Sequence, residues 1–227
     1  WNSPLAWLQT ERIAAQAGRT IKAIAMRDSD CDLTSVIIVR NDSPIRSIED
    51  LRGKTVAVGA SDSPQATLIP LLHLAEAGLE PEKDFAVRLF DVLVGKHGDH
   101  IGGERHAAKA LIEGAVDAAC MIDGNHLLFS REGTLPSNST RILAQTGEYD
   151  HCNFTVLDNA PEAAVAQFCT LLMSMSYDDP QVRPLLDLEG LKQWRPGRTE
   201  KYALLARAAN RFKTIDAFVA RVSKSCP

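Results

Sequence analysis

The sequence lacks the features that define several large classes of protein. Its five cysteines, at positions 31, 120, 152, 169 and 226, include no CxxC pair, so they predict neither a disulfide framework nor a zinc-ribbon site. Its apolar runs fall well short of the roughly 20 residues that a membrane-spanning helix needs. The net charge of −4 favours neither a nucleic-acid surface nor attraction to an anionic membrane. Functional predictions must therefore come from local groups of side chains.

The residues that are present predict a globular protein that alternates strands and helices. Hydrophobic residues make up 45% of the 227 positions and charged residues 24%, which is enough apolar material for a substantial core. Residues 21–26, 36–39 and 55–58 have the pattern of strands, and residues 61–78 that of a capped helix. A helix over 104–113 precedes a strand over 117–121, and the chain after 160 is helical by pattern. This alternation predicts an α/β fold with a mostly parallel sheet.

The start of the predicted helix at 61–78 is one candidate anion site. Ser61, Ser63 and Gln65 lie where backbone N–H groups and the positive end of the helix dipole attract an anion. Pro64 removes one of those N–H donors. The alternative is that Ser63 and Pro64 only cap the helix.

The segment from Gly95 to His106 carries the second candidate group. The planar guanidinium of Arg105 suits a carboxylate, phosphate or sulfonate, and Glu104 favours an amine or a hydroxyl-rich ligand. The same segment offers His97, Asp99 and His100 as a weaker alternative, a divalent-metal site, although their spacing matches no metalloenzyme signature. A solvated glycine-rich turn is the other alternative.

Further polar residues follow two other predicted strands. Asp123 and Asn125 come after the strand at 117–121, whereas Asp150, His151 and Asn153 precede the strand at 154–157. We expect these groups to converge on one site with the two above. Cys152 beside His151 has the residue types of a nucleophilic pair, but neighbours on a strand point to opposite faces. The pattern therefore favours a small cleft or core residue at 152.

Two segments resemble a known family. Residues 48–54 read Ile-Glu-Asp-Leu-Arg-Gly-Lys between strands, and residues 114–119 read Gly-Ala-Val-Asp-Ala-Ala. Together with their surroundings, over roughly residues 1–157, they resemble the type II periplasmic solute-binding proteins of ABC importers, and most of all the phosphate, phosphite and phosphonate branch. Residues 1–7 are similar to a family segment that follows the first strand, helix and strand of lobe one. The resemblance thus implies that the first part of lobe one is missing here.

The resemblance implies a two-lobed fold, in which each lobe has a mostly parallel sheet flanked by helices. Residues 1–51 and 153–227 would form lobe one, and residues 52–152 lobe two. A small polar, anionic ligand of the phosphonate type would bind in the cleft between the lobes, without catalysis and without a cofactor. An ABC permease would be the protein partner, in a periplasmic or other extracytoplasmic location, with no nucleic acid and no membrane span.

The predicted ligand-binding residues follow from that reading. Ser61, Ser63 and Gln65 would hold the anionic group, Glu104 and Arg105 would select what is attached to it, and the remaining contacts would come from Asp123, Asn125, Asp150, His151 and Asn153. Two alternatives remain on the same fold: a metal-dependent or cysteine enzyme, and a sensor domain.

Overall fold

The chain forms two compact units. The computed structural model describes residues 1–92 and 101–225. The first unit contains Trp1–Leu33, Tyr149–Ala206 and the segment that begins at Lys213, and the second contains Thr34–Glu148 and Arg207–Phe212. The predicted lobe boundaries were 51/52 and 152/153. The structure instead places residues 149–152 in the first unit and residues 34–51 and 207–212 in the second. Residues 34–51 belong there because the strand at 35–40 forms hydrogen bonds with two strands of that unit's sheet.

The helices and strands follow one another in this order: α1 (Pro4–Gln16), β1 (Ile21–Arg27), β2 (Ser35–Arg40), β3 (Thr55–Val58), a π-helical turn (Pro64–Leu68), α2 (Ile69–Glu76), β4 (Ala86–Leu89), α3 (Ile101–Ile112), β5 (Ala118–Ile122), α4 (Asp123–Glu132), β6 (Thr140–Gln145), β7 (Phe154–Leu157), α5 (Glu162–Ser174), α6 (Arg183–Glu189), β8 (Trp194–Pro196), α7 (Ala203–Arg211) and α8 (Thr214–Ser225). No helix among the described residues is long and apolar enough to cross a bilayer.

The second unit has a five-stranded mixed sheet in the order β4-β3-β5-β2-β6. β3 pairs in parallel with β4 and β5, because the crossover helices α2 and α3 return the chain to the same edge of the sheet. β2 runs the opposite way and is antiparallel to both β5 and β6. The expected parallel pairing therefore holds around β3 and not around β2. As a result, the first residue of β2 lies beside the last residue of β5.

Both faces of this sheet are buried. Val36 and Ile38 of β2 pack into one apolar cluster with α3, while Ile37 and Val39 pack into a second cluster with α2. Successive side chains on a strand alternate between faces, so a strand covered on both sides needs a continuous apolar run. The Val-Ile-Ile-Val sequence of β2 has this property.

The first unit has a smaller antiparallel sheet in the order β7-β1-β8. The expectation of a mostly parallel sheet in each lobe is wrong for this unit. β8 has three residues and ends in Pro196, so its sequence resembles a turn, and proline is tolerated there because β8 is an edge strand. Ala25 of β1 packs with Leu172 of α5 and Trp194 of β8 in the core of this unit.

Candidate functional site

The helix that follows β3 begins with a widened turn. Pro70 has no N–H group and cannot donate to the carbonyl of Ala66, as an α-helix would require. The Ala66 carbonyl instead accepts from the N–H group of Gly59, 3.2 Å away. A Cβ atom on Gly59 would lie 2.7 Å from the Cβ atom of Ala66, so this close contact requires glycine. The helix start is thereby fixed to the end of β3.

The predicted anion-binding residues at this helix start differ in exposure. The Ser63 hydroxyl is fully buried and accepts a hydrogen bond from the N–H group of Ala66 at 3.2 Å, which makes it the helix cap. Ser61 is exposed, and its N–H group donates to the Asp91 carboxylate at 2.7 Å. Gln65 is 7% exposed. Of the three side chains, the Ser61 hydroxyl faces solvent most directly.

Glu104 is the centre of a buried polar network. Glu104 is 0% exposed. Its carboxylate accepts hydrogen bonds from the Gln65 amide at 3.3 Å, the Ile122 N–H group at 3.0 Å and the Asn125 amide at 2.8 Å. The Ser35 hydroxyl donates to the Gln65 carbonyl at 2.5 Å. The structure thus joins three of the predicted residues, Gln65, Glu104 and Asn125. It also shows that Glu104 holds the ends of α3, β5 and the π-helical turn together.

A group of partly exposed polar side chains lies at the end of β5. The Asp123 carboxylate accepts from the Thr34 hydroxyl at 2.9 Å, and the Gln145 amide donates to the Thr34 hydroxyl at 2.8 Å. Thr34 and Gln145 were not among the predicted residues. If β2 were parallel to β5, Thr34 would lie at the opposite end of the strands from Asp123. The antiparallel pairing brings the two residues together. The sequence carries no signal for that reversal.

Arg105 does not join this network. Its guanidinium forms an ion pair with Glu132, donates to the Thr134 hydroxyl at 3.2 Å, and lies 4.6 Å from the centre of the Phe129 ring. Successive residues of a helix project about 100° apart, so Arg105 leaves α3 in a different direction from Glu104. His97, Asp99 and His100, the alternative metal ligands, lie outside the described residues.

In the first unit, Asp30, His151 and Cys152 form a tight group. Nδ1 of His151 lies 3.1 Å from the Cys152 sulfur and 3.4 Å from the Asp30 carboxylate. Arg27 donates to the same carboxylate through two nitrogens, at 2.6 and 3.2 Å. Asp30 is 2% exposed and Cys152 is 6% exposed. Asp30 was missed by sequence reasoning, because it lies more than 100 positions away from the other two.

Asp150 and Asn153 are bonded within the first unit. The buried Asp150 carboxylate accepts from Arg198 through two bonds of 2.7 Å and from the Asp32 N–H group at 3.0 Å. The Asn153 amide donates to the Tyr202 hydroxyl at 2.6 Å. These predicted ligand contacts therefore have structural roles, and a single site formed with the residues of the second unit stays a prediction.

The Asp30 group is the one set of at least three potential metal-ligating side chains among the described residues, with its ligand atoms within 4.8 Å of one another. Arg27 already supplies the positive charge that compensates the Asp30 carboxylate. Burial opposes ionisation of both Asp30 and His151. For Asp30, the bonds from His151 and Arg27 outweigh burial, and for His151, the neighbouring Cys152 sulfur and the bond to Asp30 do so. The pKa of Asp30 is held below its usual value, and the pKa of His151 is raised to about 10.

This pair predicts a defined dependence of stability on pH. The ionised Asp30 contributes above its unfolded pKa of 3.8 and loses its contribution as the pH falls further. The protonated His151 contributes fully below its unfolded pKa of 6.5 and loses its contribution as the pH rises toward about 10. We expect the free energy of unfolding lost in His151→Gln to be largest near pH 6 and to shrink by pH 9.5.

Urea unfolding of both proteins across that pH range measures this difference. The matched control is His106→Gln, since His106 is an exposed histidine of α3. A difference between wild type and His151→Gln that stays constant from pH 6 to 9.5 would contradict the assignment of a protonated His151.

Comparison with known proteins places these observations in a family. Residues 3–202 match the family model described as "ABC transporter, phosphonate, periplasmic substrate-binding protein". Over 87 residues, 38% of this chain, the sequence is 33% identical to the tetrathionate sensor histidine kinase TtrS of Salmonella typhimurium. The chain spans 13% of the length of that kinase.

Solved structures show the same fold. PhnD1 from Prochlorococcus marinus in complex with methylphosphonate has a TM-score of 0.69 at 17% identity, over 93% of this chain and 76% of that one. A binding protein component of an ABC phosphonate transporter from Pseudomonas aeruginosa has a TM-score of 0.63 at 14% identity, over 99% and 78%. These likenesses confirm the α/β class and the two-lobed binding-protein fold.

The family and its structural neighbours are substrate-binding proteins, which confirms the predicted binding role in place of an enzymatic one. The match also confirms the resemblance that residues 48–54 and 114–119 indicated. The chain belongs to the family of phosphonate ABC transporter periplasmic substrate-binding proteins.

Proposed function

We propose that this chain binds a small polar oxyanion of the phosphonate type and that the second unit supplies its specificity. Outside the cytoplasm, the loaded protein would deliver the ligand to an ABC permease. Family membership supports the class of function. The observation that supports the location is the polar network around Glu104, which includes the half-exposed Asn125, with the half-exposed Asp123 beside it at the end of β5.

The network favours a ligand that carries a hydrogen-bond donor as well as an anionic group. The exposed Ser61 hydroxyl and the start of the helix after β3, which Ser63 caps, suit the oxyanion. Asp123 brings a carboxylate to the same edge of the sheet, because it follows β5 directly and β5 pairs with β3. A carboxylate repels a bare dianion and attracts an amine. We therefore expect an aminoalkylphosphonate to bind more tightly than phosphate or methylphosphonate.

Isothermal calorimetry and thermal unfolding with phosphate, methylphosphonate, 2-aminoethylphosphonate, taurine and tetrathionate test this proposal. A ligand at about 100 times its Kd stabilises the folded state by about 2.7 kcal/mol. We expect Asp123→Asn to weaken binding of 2-aminoethylphosphonate about tenfold or more, because an ion pair becomes a neutral contact. Binding of methylphosphonate should be unchanged or stronger.

The matched control is Asp42→Asn, which removes the same charge from the second unit. Asp42 is 84% exposed and follows the far end of β2 from Thr34. The Asp42→Asn variant should bind every ligand as the wild type does. If all five compounds leave the unfolding temperature unchanged, or if both variants weaken binding equally, the proposed location is wrong.

A sensor module is the second candidate function. The observation that favours it is the 87-residue match to a sensor histidine kinase, in which a domain of this fold would report a ligand to a kinase. Immunoblotting of cells that encode this chain distinguishes the two. An importer component would run near the size of the solved binding proteins, of which this chain covers 76–78%, whereas a sensor kinase would be several times larger and would reside in the membrane fraction.

A further inference from the structure

The side chains of His151 and Cys152 meet although they are neighbours in sequence. Adjacent residues of a strand point to opposite faces, but residues 151 and 152 precede β7 and lie outside any strand. Their backbone is fixed by Asp30: its carbonyl accepts from the N–H group of His151 at 2.8 Å, and its carboxylate accepts from that of Cys152 at 3.3 Å. This arrangement turns the Cys152 sulfur toward Nδ1 of His151, 3.1 Å away.

Asp30 orients the imidazole as well as the backbone. One nitrogen, Nδ1 of His151, lies between the Cys152 sulfur and the Asp30 carboxylate, which are 3.1 and 3.4 Å from it. A proton on that nitrogen can therefore be shared between the sulfur and the carboxylate. Arg27 holds the carboxylate in place from the other side. A cysteine, a histidine that can take its proton and a third group that orients the histidine are the parts of an activated thiol.

The charges favour an activated thiol over a metal site. Arg27 and a protonated His151 carry two positive charges, which balance the Asp30 carboxylate and a Cys152 thiolate. A divalent cation would have to bind beside the Arg27 guanidinium, which already occupies both oxygens of the carboxylate. Two further titratable groups contact this cluster: the Tyr202 hydroxyl donates to the His151 carbonyl, and the Cys31 sulfur donates to the Arg27 carbonyl.

We propose that Cys152 is a nucleophilic thiol that captures small electrophilic sulfur compounds, disulfides or thiosulfonates, as a mixed disulfide. The thiol proton resides on Nδ1 of His151, and the Cys152 thiolate attacks the sulfenyl sulfur of the compound. The S–S bond of the compound breaks, the new Cys152 S–S bond forms, and the thiolate or sulfinate leaves with the bonding electron pair. The event is a stoichiometric modification of a binding protein and is independent of the ligand proposed for the second unit.

Methyl methanethiosulfonate at limiting concentration and pH 7 provides the test, with the labelled peptides quantified by mass spectrometry. Cys31 and Cys169 are internal controls, because both are more exposed than Cys152 and their sulfurs donate to the backbone carbonyls of Arg27 and Ile24. Exposure alone would make them react first. We expect Cys152 to react at least tenfold faster than either. The fully buried Cys120 should react last and reports any opening of the fold.

His151→Gln separates activation from accessibility. Glutamine keeps a polar side chain but cannot take the proton, so the rate at Cys152 should fall at least tenfold while the rates at Cys31 and Cys169 stay unchanged. Rapid labelling of Cys120 would reveal an unfolded variant. In that case the pH dependence of labelling in the wild-type protein still tests the proposal. Its ratio of Cys152 to Cys31 labelling should rise as the pH falls from 8 to 6.

Three results would overturn the proposal. Cys152 could react more slowly than Cys31 and Cys169 in the wild type, or its rate could be unchanged in a folded His151→Gln variant. The third result is one equivalent of zinc in the purified protein with labelling of Cys152 only after chelation, which would show a metal site in place of a free thiol.

Discussion

Replacing Glu104 with leucine is expected to lower the free energy of unfolding by about 3 kcal/mol, because it removes a buried acceptor and leaves its donors unsatisfied. The Gln65 amide, the Ile122 N–H group and the Asn125 amide all donate to this carboxylate. The expected fall in unfolding temperature is roughly 6–12 °C for a chain of this size. Glu104→Gln should lose about half as much, since one acceptor oxygen remains.

Urea unfolding monitored by circular dichroism measures this change. The matched control is Glu113→Leu, because Glu113 follows the same helix and is exposed. It should change the free energy of unfolding far less than Glu104→Leu does. Equal effects of the two substitutions would contradict the structural role of Glu104. Ligand binding by Glu104→Gln, measured where the protein is folded, then shows whether the network also sets the geometry of Asn125.

Replacing Asp150 with alanine is expected to lower the free energy of unfolding by about 2 kcal/mol. The carboxylate is fully buried and accepts two charge-assisted bonds from Arg198 as well as one from the Asp32 N–H group. We place the effect below that of a fully buried ion pair because the Arg198 side chain is 37% exposed and regains solvation when its partner is lost. Asp150→Asn should be milder, since it keeps one acceptor.

The control for this prediction is Asp216→Ala, which breaks the ion pair with Arg12 on the surface of the same unit. Both side chains of that pair are more than half exposed, so the change in stability should be small. If Asp150→Ala were as mild as this control, the bidentate bond to Arg198 would not contribute to the fold of the first unit.

Local sequence patterns determined most of the elements and the family. The continuous branched run in β2, the cap at Ser63 and the glycine after α2 gave correct strands and helices, because each acts through its own neighbours in the chain. Residues 48–54 carried the family for the same reason. The three-residue β8 had no such local signal, since its strand character comes only from pairing with β1.

The composition of the polar sites depended on pairings that no local pattern encodes. The antiparallel direction of β2 brought Thr34 to Asp123, and the direction of each side chain on α3 assigned Glu104 to the buried network and Arg105 to Glu132. Asp30 reached His151 and Cys152 from another part of the chain.

Sequence alone determined the fold class, the family and most elements, because propensity and capping act over a few residues. Tertiary structure decided which polar groups meet, because strand direction and helix rotation bring together residues that are far apart in sequence.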